Sequence, residues 1–239
     1  MTDIANEFRV MTSGAFTAAH VTLVPAMEAL TGKKVVTVTT SIGTGETSIP
    51  SRLARAEPVD LVIVVEPNMQ NFIDAGYIID DSRTLIAKSS VGIAVRAGAP
   101  APDVSSVEAV RRTFLGAACI AYSASASGKY LTSQLYQKLG IAEQCLPKSR
   151  FVGGGERTGA LVARGEADLA FQQMSELRPV PGVAHVTPLP PELQSITWVA
   201  AGVPAWSRNI ELACSVARFL ASPEAAAAIE QSGLETAVS

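Results

Sequence analysis

Serine, threonine and glycine residues recur at the points where an apolar stretch of strand length is followed by a helical pattern. Three such junctions hold the following residues: Ser13 and Gly14; Ser41, Gly43, Thr44 and Gly45; Ser123, Ser125 and Ser127. Backbone N–H groups at the start of a helix favour negative charge, glycine lets the backbone come close, and Ser and Thr add neutral donors. Each junction is therefore a candidate oxyanion cradle, although Ser, Thr and Gly also cap helices for structural reasons alone.

A fourth junction adds a positive charge. Arg157 and Thr158 follow a run of three glycines, and a guanidinium is a planar partner for carboxylates and oxyanions. Arg157 is thus a candidate ligand-binding residue, with an ordinary surface arginine as the alternative. Gln172 stands at the end of the next apolar stretch, where it would orient a ligand or cap the following helix.

Other kinds of chemistry are not indicated. No junction carries the lysine of a P-loop, so we expect no nucleotide site. His20 and His185 have no carboxylate or thiol at ligand spacing, so we expect no metal and no other cofactor. A Gly-x-Ser-x-Gly elbow is missing, which argues against Ser-His-Asp catalysis.

The composition is that of a globular protein. Of 239 residues, 48% are hydrophobic and 17% are charged, which suits a buried core rather than disorder. The net charge is -3 and basic residues are scattered, so we expect no nucleic-acid partner. No apolar run approaches the roughly 20 residues of a membrane span, so membrane insertion is not expected. The first residues lack the pattern of a secretory signal, which predicts a cytoplasmic protein, or a periplasmic one if a leader has been removed.

Strand-like and helix-like stretches alternate along the chain. The predicted strands are residues 8–11, 35–40, 61–65, 91–95, 119–122, 169–171 and 196–201. The predicted helices are residues 15–30, 49–56, 69–75, 107–115, 129–139, 158–164, 210–220 and 223–231. Repeated βα units predict parallel sheets, in which ligands bind beyond the carboxyl ends of the strands. We therefore expect the polar junctions to converge.

Two breaks in this alternation predict a discontinuous first lobe. A Gly/Pro-rich stretch after residue 95 suggests a boundary near residues 85–90, and a second break lies near residues 188–194. We expect lobe 1 to hold residues 1–87 plus 196–239 and lobe 2 to hold residues 88–195. The ligand cleft is expected between the lobes.

The order of these junctions resembles that of the type II periplasmic binding proteins, especially the molybdate-binding family, over nearly the whole chain. The resemblance is carried by Ser13, by residues 41–46, by residues 127–130 with 135–140, and by the later stretches 162–168 and 219–225. It implies an α/β, two-lobed fold, each lobe a mixed, mostly parallel sheet flanked by helices. It also implies a small anionic ligand and, for a carrier, an ABC permease as partner.

Two departures from the molybdate binders make the chain more similar to the aconitate isomerases, which are enzymes on the same scaffold. The second loop reads Gly43-Thr44-Gly45-Glu46 instead of a Ser-Ser pair, and Gln172 with Gln173 replaces Val-Tyr. Residues 39–46, 120–128 and 171–177 carry the resemblance. It implies cis/trans isomerisation of a tricarboxylate by an allylic proton shift, without a metal. The alternative is a non-catalytic carrier of a molybdate-like oxyanion or an organic anion.

The isomerase interpretation predicts a role for each polar residue. Glu46 is the acid nearest the second cradle, where burial would make it a general base. Tyr122 or Lys129 would stabilise the enolate-like charge. Arg157 would bind one carboxylate, and the hydroxyls and backbone N–H groups the others. The alternatives are that Glu46 only favours a helix dipole and that the Tyr122 hydroxyl only contacts water.

Overall fold

Strands and helices alternate along most of the chain. The computed structural model describes residues 6–39, 42, 45–153 and 156–237. In chain order its strands are β1 (Glu7–Thr12), β2 (Lys34–Thr39), β3 (Leu61–Val65), β4 (Thr84–Ser89), β5 (Val91–Arg96), β6 (Ile120–Ser123), β7 (Ser149–Val152), β8 (Leu169–Gln173), β9 (Val183–Pro188), β10 (Thr197–Gly202) and β11 (Glu235–Thr236). Its α-helices are α1 (Thr17–Thr31), α2 (Ile49–Ala54), α3 (Glu66–Asp74), α4 (Val107–Gly116), α5 (Ala126–Tyr130), α6 (Tyr136–Lys138), α7 (Ala142–Cys145), α8 (Thr158–Ala163), α9 (Met174–Leu177), α10 (Ile210–Leu220) and α11 (Pro223–Gln231).

These elements form two units, each with its own sheet. Unit 1 comprises Met1–Lys88 and Trp198–Ser239, and unit 2 comprises Ser89–Thr197. The chain therefore leaves unit 1 once and returns to complete it. Each sheet is mixed and flanked by helices, as the resemblance to the type II periplasmic binding proteins implies.

The sheet of unit 1 has the strand order β11-β4-β10-β3-β1-β2. β1 pairs in parallel with β2 and β3, because βα connections return each strand in the same direction. β10 arrives from the far end of the chain and pairs antiparallel with β3, with Ala201 opposite Ile63. Side chains alternate between the two faces of a strand, so Val10 packs on the face of α1, α10 and α11, and Met11 on that of α2 and α3.

The sheet of unit 2 has the strand order β7-β6-β8-β5-β9. β6 is parallel to both β7 and β8, and β5 is antiparallel to both β8 and β9. One face buries Phe114, whose ring lies 5.7 Å from the ring of Tyr136 and 6.2 Å from that of Phe171. The parallel pairs bring the carboxyl ends of β6 and β8 to one edge of the sheet.

The last two helices complete the core of unit 1. In α10 the buried residues follow helical spacing, from Ala213 through Val216 and Ala217 to Leu220. Pro223 occupies the start of α11, where a missing N–H costs nothing. Within the described ranges, no single helix is long and apolar enough to cross a bilayer. α10 and α11 pass that length and composition test only when counted together, and they meet at a bend of 65°.

The observed elements correct the predicted ones in three respects. The helix predicted over residues 129–139 begins earlier, and a π-helical turn, Leu131–Leu135, separates α5 from α6. The parallel pairing predicted from the βα repeats is incomplete, because β5 is antiparallel to β8 and β9 and β10 is antiparallel to β3. The strands β4, β7, β9 and β11 were not predicted; three of them, β7, β9 and β11, lie at sheet edges.

Candidate functional site

Ser13 presents a buried hydroxyl at the carboxyl end of β1. Its side chain is 7% exposed, and its Oγ has no hydrogen-bond partner among the described residues. Its backbone is fully engaged: the N–H donates to the Ile63 carbonyl at 3.1 Å, and its carbonyl accepts from Thr17 Oγ1 at 3.1 Å. A buried hydroxyl without a partner is costly, so Ser13 is suited to bind a polar ligand atom. Gly14 is exposed, and a Cβ there would meet no atom within 4 Å.

The second junction is described only in part. Ser41, Gly43 and Thr44 lie outside the described residues. The Gly45 carbonyl accepts from Ser48 N–H at 2.9 Å, and Ser48 caps α2 by accepting from Ser51 N–H at 3.4 Å. Glu46 is exposed in this turn, and its backbone carbonyl accepts from Arg55 Nη2 at 2.8 Å. The sequence led us to expect that Glu46 is buried, and this expectation is wrong. The turn that precedes Ser48, the N-cap of α2, lies at the surface.

The third junction and the end of β8 form one hydrogen-bonded group in unit 2, the serine–glutamine cluster of Ser123, Ser125, Ser127 and Gln172. The Gln172 amide nitrogen donates to Ser123 Oγ at 2.7 Å. Its amide oxygen accepts from Ser125 Oγ at 3.1 Å and from Ser127 Oγ. The hydroxyls also bond to one another, at 3.0 Å between Ser123 and Ser125 and at 2.8 Å between Ser125 and Ser127. The structure thus brings four predicted site residues together.

Strand register and one glycine explain why this cluster forms. β6 and β8 pair in parallel with Ile120 opposite Leu169, so Ser123 and Gln172, each three residues further along, reach the same edge. Gly128 lets α5 approach the loop, since a Cβ at this position would overlap the Ser123 carbonyl oxygen. Alanine at position 128 would therefore displace the loop or the helix.

A second polar group lies at the start of α8 and the end of β8. Thr158, 2% exposed, and Gln173, 3% exposed, each have a buried side-chain oxygen without a partner among the described residues. Arg157 precedes Thr158 and is exposed. Burial raises the pKa of the partly buried Glu176, and the positive charge of Arg157 opposes that rise. Neither Gln173, the last residue of β8, nor Glu176, in the first turn of α9, is among the predicted site residues, although both lie in one polar run of the sequence.

Tyr122 and Lys129 stand apart from the hydrogen bonds of the serine–glutamine cluster. Tyr122 is half-buried on β6, and its ring packs edge-to-face against Phe151 at 5.8 Å. Lys129 is exposed, and its backbone N–H donates to the Ser125 carbonyl at 3.0 Å within α5. The structure gives both residues packing or backbone contacts, and their predicted catalytic roles stay predictions.

The histidines occupy different environments. His20 is buried in α1, with its Nε2 atom 2.8 Å from Thr37 Oγ1, and burial lowers its pKa to about 4. His185 is exposed on β9. Among the described residues, no group of three or more His, Cys, Asp or Glu side chains is placed to hold a metal ion.

Comparison with known proteins gives consistent matches over nearly the whole chain. A family model described as bacterial extracellular solute-binding protein matches residues 8–235. An aconitate isomerase from a Pseudomonas species is 39% identical over 227 residues, which cover 95% of this chain and 86% of that protein.

Solved structures agree on the fold. The substrate-binding domain of a putative molybdenum ABC transporter from Clostridium difficile has a TM-score of 0.76 at 16% identity, covering 96% of this chain and 98% of that one. The periplasmic molybdate-binding protein of Azotobacter vinelandii has a TM-score of 0.73 at 16% identity, covering 95% and 98%. At such identities these structures support the fold alone, and they confirm the predicted type II, two-lobed α/β architecture.

Proposed function

Since this chain belongs to the family of bacterial extracellular solute-binding proteins, we propose that it binds a small polycarboxylate and isomerises it between cis and trans forms. The observation that carries this proposal is the 39% identity to an aconitate isomerase over 95% of the chain. The molybdate binders share the fold at only 16% identity. The proposed substrate is therefore aconitate or a close tricarboxylate.

The ligand-binding groups are proposed from both units. In unit 1 the Ser13 hydroxyl is buried and has no partner among the described residues, and Ser41 and the glycine-rich loop after it add the predicted donors. In unit 2 the contributors are the serine–glutamine cluster, the Thr158 hydroxyl and the Arg157 guanidinium. Neutral donors and one fixed cation suit a substrate with several carboxylates, because a guanidinium binds one carboxylate in two places. That one ligand contacts both units stays a prediction.

The chemistry requires the removal of a proton from the methylene carbon next to the alkene and its return at the alkene carbon. Hydrogen-bond donors directed at the carboxylates would stabilise the charge that develops in between. Glu46 as base, and Tyr122 or Lys129 as charge-stabilising groups, stay predictions. For Glu46 to serve as base, ligand binding would have to remove it from water.

Proton NMR of cis- and trans-aconitate tests the proposal. We expect the wild-type protein to interconvert the two isomers, which have distinct alkene signals. Heat-denatured protein serves as the control for the uncatalysed rate. Absence of interconversion by the native protein would contradict the isomerase proposal, and full activity of a Glu46→Gln variant would remove Glu46 from the catalytic set.

The second candidate function is a non-catalytic carrier of a molybdate-like oxyanion or organic anion. It is favoured by the full-length fold similarity to molybdate binders. A carrier would act outside the cytoplasm and deliver its ligand to an ABC permease. Tight binding of molybdate without any turnover of aconitate would support this function over the isomerase.

A further inference from the structure

Three hydrogen-bond donors of unit 2 converge on a single atom, the side-chain amide oxygen of Gln172. The Ser125 hydroxyl donates to it at 3.1 Å, the Gln173 backbone N–H donates to it at 3.0 Å, and the Ser127 hydroxyl donates to it as well. A neutral amide oxygen has two lone pairs, so three donors are more than it can pair well. Several donors directed at one oxygen are typical of an oxyanion hole. The Gln172 oxygen therefore occupies a three-donor site, formed by the two hydroxyls and the Gln173 N–H.

The donors of the three-donor site are held by contacts that do not involve the Gln172 side chain. Ser125 and Ser127 lie at the start of α5, where the Ser125 carbonyl accepts from the Lys129 N–H at 3.0 Å. The Gln173 N–H belongs to β8, which pairs with β5 and with β6. If the Gln172 side chain turned away, the three donors would remain directed at the position that its oxygen had left.

The serine hydroxyls have no hydrogen left for a ligand while Gln172 is in this position. The Gln172 Nε2 atom donates to Ser123 Oγ at 2.7 Å, and Ser123 Oγ in turn donates to Ser125 Oγ at 3.0 Å. The hydrogens of Ser125 and Ser127 have the Gln172 oxygen as their acceptor. An ionised carboxylate only accepts hydrogen bonds, so it can bind to Ser125 and Ser127 once the amide oxygen has left them.

An unsatisfied buried hydroxyl lies on the same face of the sheet as the Gln172 side chain. Ala170 is two residues from Gln172 on β8 and therefore shares its face, and it packs with Leu161 of α8. Thr158, the first residue of α8, is 2% exposed, and its hydroxyl has no partner among the described residues. Ser125 is only partly buried, so the three-donor site has a route to the surface of unit 2. This face of unit 2 thus lacks a polar partner that a ligand can supply.

We propose that the Gln172 amide oxygen occupies the position of a ligand carboxylate oxygen, and that the polycarboxylate binds by displacing it from the three-donor site. The inference rests on the proposed function and refines it, because Gln172 then competes with the ligand and the serines bind it. A hydrogen bond to a charged acceptor is roughly twice as strong as one to a neutral acceptor, which favours the carboxylate over the amide. The free energy needed to displace the amide lowers the observed affinity.

Calorimetric titration with tricarballylate, the saturated analogue of aconitate, tests this displacement. Gln172→Ala removes the competing oxygen and keeps all three donors, so we expect the Kd to fall by about 5-fold or more relative to the wild type. Gln172→Met keeps the length of the side chain and has only a weak acceptor. It should also lower the Kd, and it decides the test if the alanine variant does not fold in urea-unfolding experiments.

The opposite change should weaken binding. Gln172→Glu places a charged acceptor in the three-donor site, so we expect the Kd to rise by about 10-fold or more. The matched control is Gln137→Glu, which adds the same charge at an exposed position of α6 in the same unit. Its Kd should equal that of the wild type.

The direction of the change in Kd separates the possible roles of Gln172. Weaker binding by folded Gln172→Ala and Gln172→Met overturns this inference, because Gln172 is then a ligand-binding residue. An equal Kd for the wild type and all Gln172 variants overturns it as well, because the ligand then does not enter the three-donor site. Both results leave the proposed function intact if the wild type interconverts aconitate. A wild type that neither binds tricarballylate nor interconverts aconitate overturns the proposed function, and this inference with it.

Discussion

At the scale of single residues, the polar groups of the candidate site are of two kinds. The members of the serine–glutamine cluster satisfy one another's hydrogen bonds. The hydroxyls of Ser13 and Thr158 have no partner among the described residues and remain available for a ligand atom. The sequence could identify these serine and threonine residues. It could not show which of their hydroxyls bond to other side chains, because those hydrogen bonds depend on strand register and side-chain rotamers.

The burial of acidic side chains was equally hard to predict from the sequence. Glu46 and Glu176 both stand in polar runs near a helix start, and nothing in their local sequence distinguishes a surface turn from a partly buried position. The structure exposes Glu46 and buries part of Glu176 beneath neighbouring elements of unit 2. Burial depends on residues distant in the sequence, so a single sequence does not predict it.

His20 makes the stability of the fold depend on pH. Its ring is fully buried and its pKa is lowered to about 4, whereas histidine in an unfolded chain titrates near 6.5. Above about pH 6.5 neither state binds the proton; below it the unfolded state binds more, so stability falls from there down to about pH 4. We expect this residue to cost about 2 kcal/mol of unfolding free energy between about pH 7.5 and about pH 5.

Urea unfolding of the wild type and of His20→Gln at the two pH values measures this cost. Glutamine does not titrate, and its amide can either donate to Thr37 Oγ1 or accept from it. The wild type should lose about 2 kcal/mol more than the variant on acidification. The same loss in both proteins would show that His20 is not the group responsible.

At the scale of secondary structure, amphipathic helices and buried central strands were the predictable elements. α10 and α11 have the bounds predicted from the apolar spacing and from the Ser-Pro-Glu sequence at the start of α11. β3 has the bounds of its apolar run. β7 and β9 were missed because edge strands bury fewer side chains and therefore lack a continuous apolar pattern. Strand direction was also only partly predictable, since β10 enters its sheet from a distant part of the chain.

The close approach of α5 to the β6 loop gives a prediction at this scale. Gly128→Ala places a methyl group against the Ser123 carbonyl, and such overpacking costs about 1–3 kcal/mol of unfolding free energy. The displaced loop should also weaken the binding of tricarballylate, a saturated tricarboxylate that cannot isomerise. Gly116→Ala, at the end of α4 in the same unit, is the matched control because a Cβ there meets nothing within 4 Å.

Chemical denaturation and calorimetric titration of both glycine variants provide the measurement. Gly116→Ala should match the wild type in stability and affinity. A Gly128→Ala protein as stable as Gly116→Ala, with unchanged affinity, would mean that the loop and α5 do not need this contact.

At the scale of the whole molecule, the chain divides into two units of similar design. Each has a mixed sheet in which two parallel pairs bring polar junctions to the carboxyl edge, and each places a buried hydroxyl there, Ser13 in unit 1 and Thr158 in unit 2. The repeating βα pattern predicted the parallel strand pairs in outline. A molybdate-binding protein shares this fold and an aconitate isomerase shares 39% of the aligned sequence, so the fold alone does not decide between binding and catalysis.

Catalysis in excess substrate separates these two functions most directly. Pure cis-aconitate and pure trans-aconitate are incubated separately with a small molar fraction of the protein and followed by proton NMR. We predict that both samples reach the same isomer ratio, at a rate proportional to protein concentration. If both samples keep their starting composition although the protein binds aconitate, the isomerase function is contradicted and the carrier function is supported.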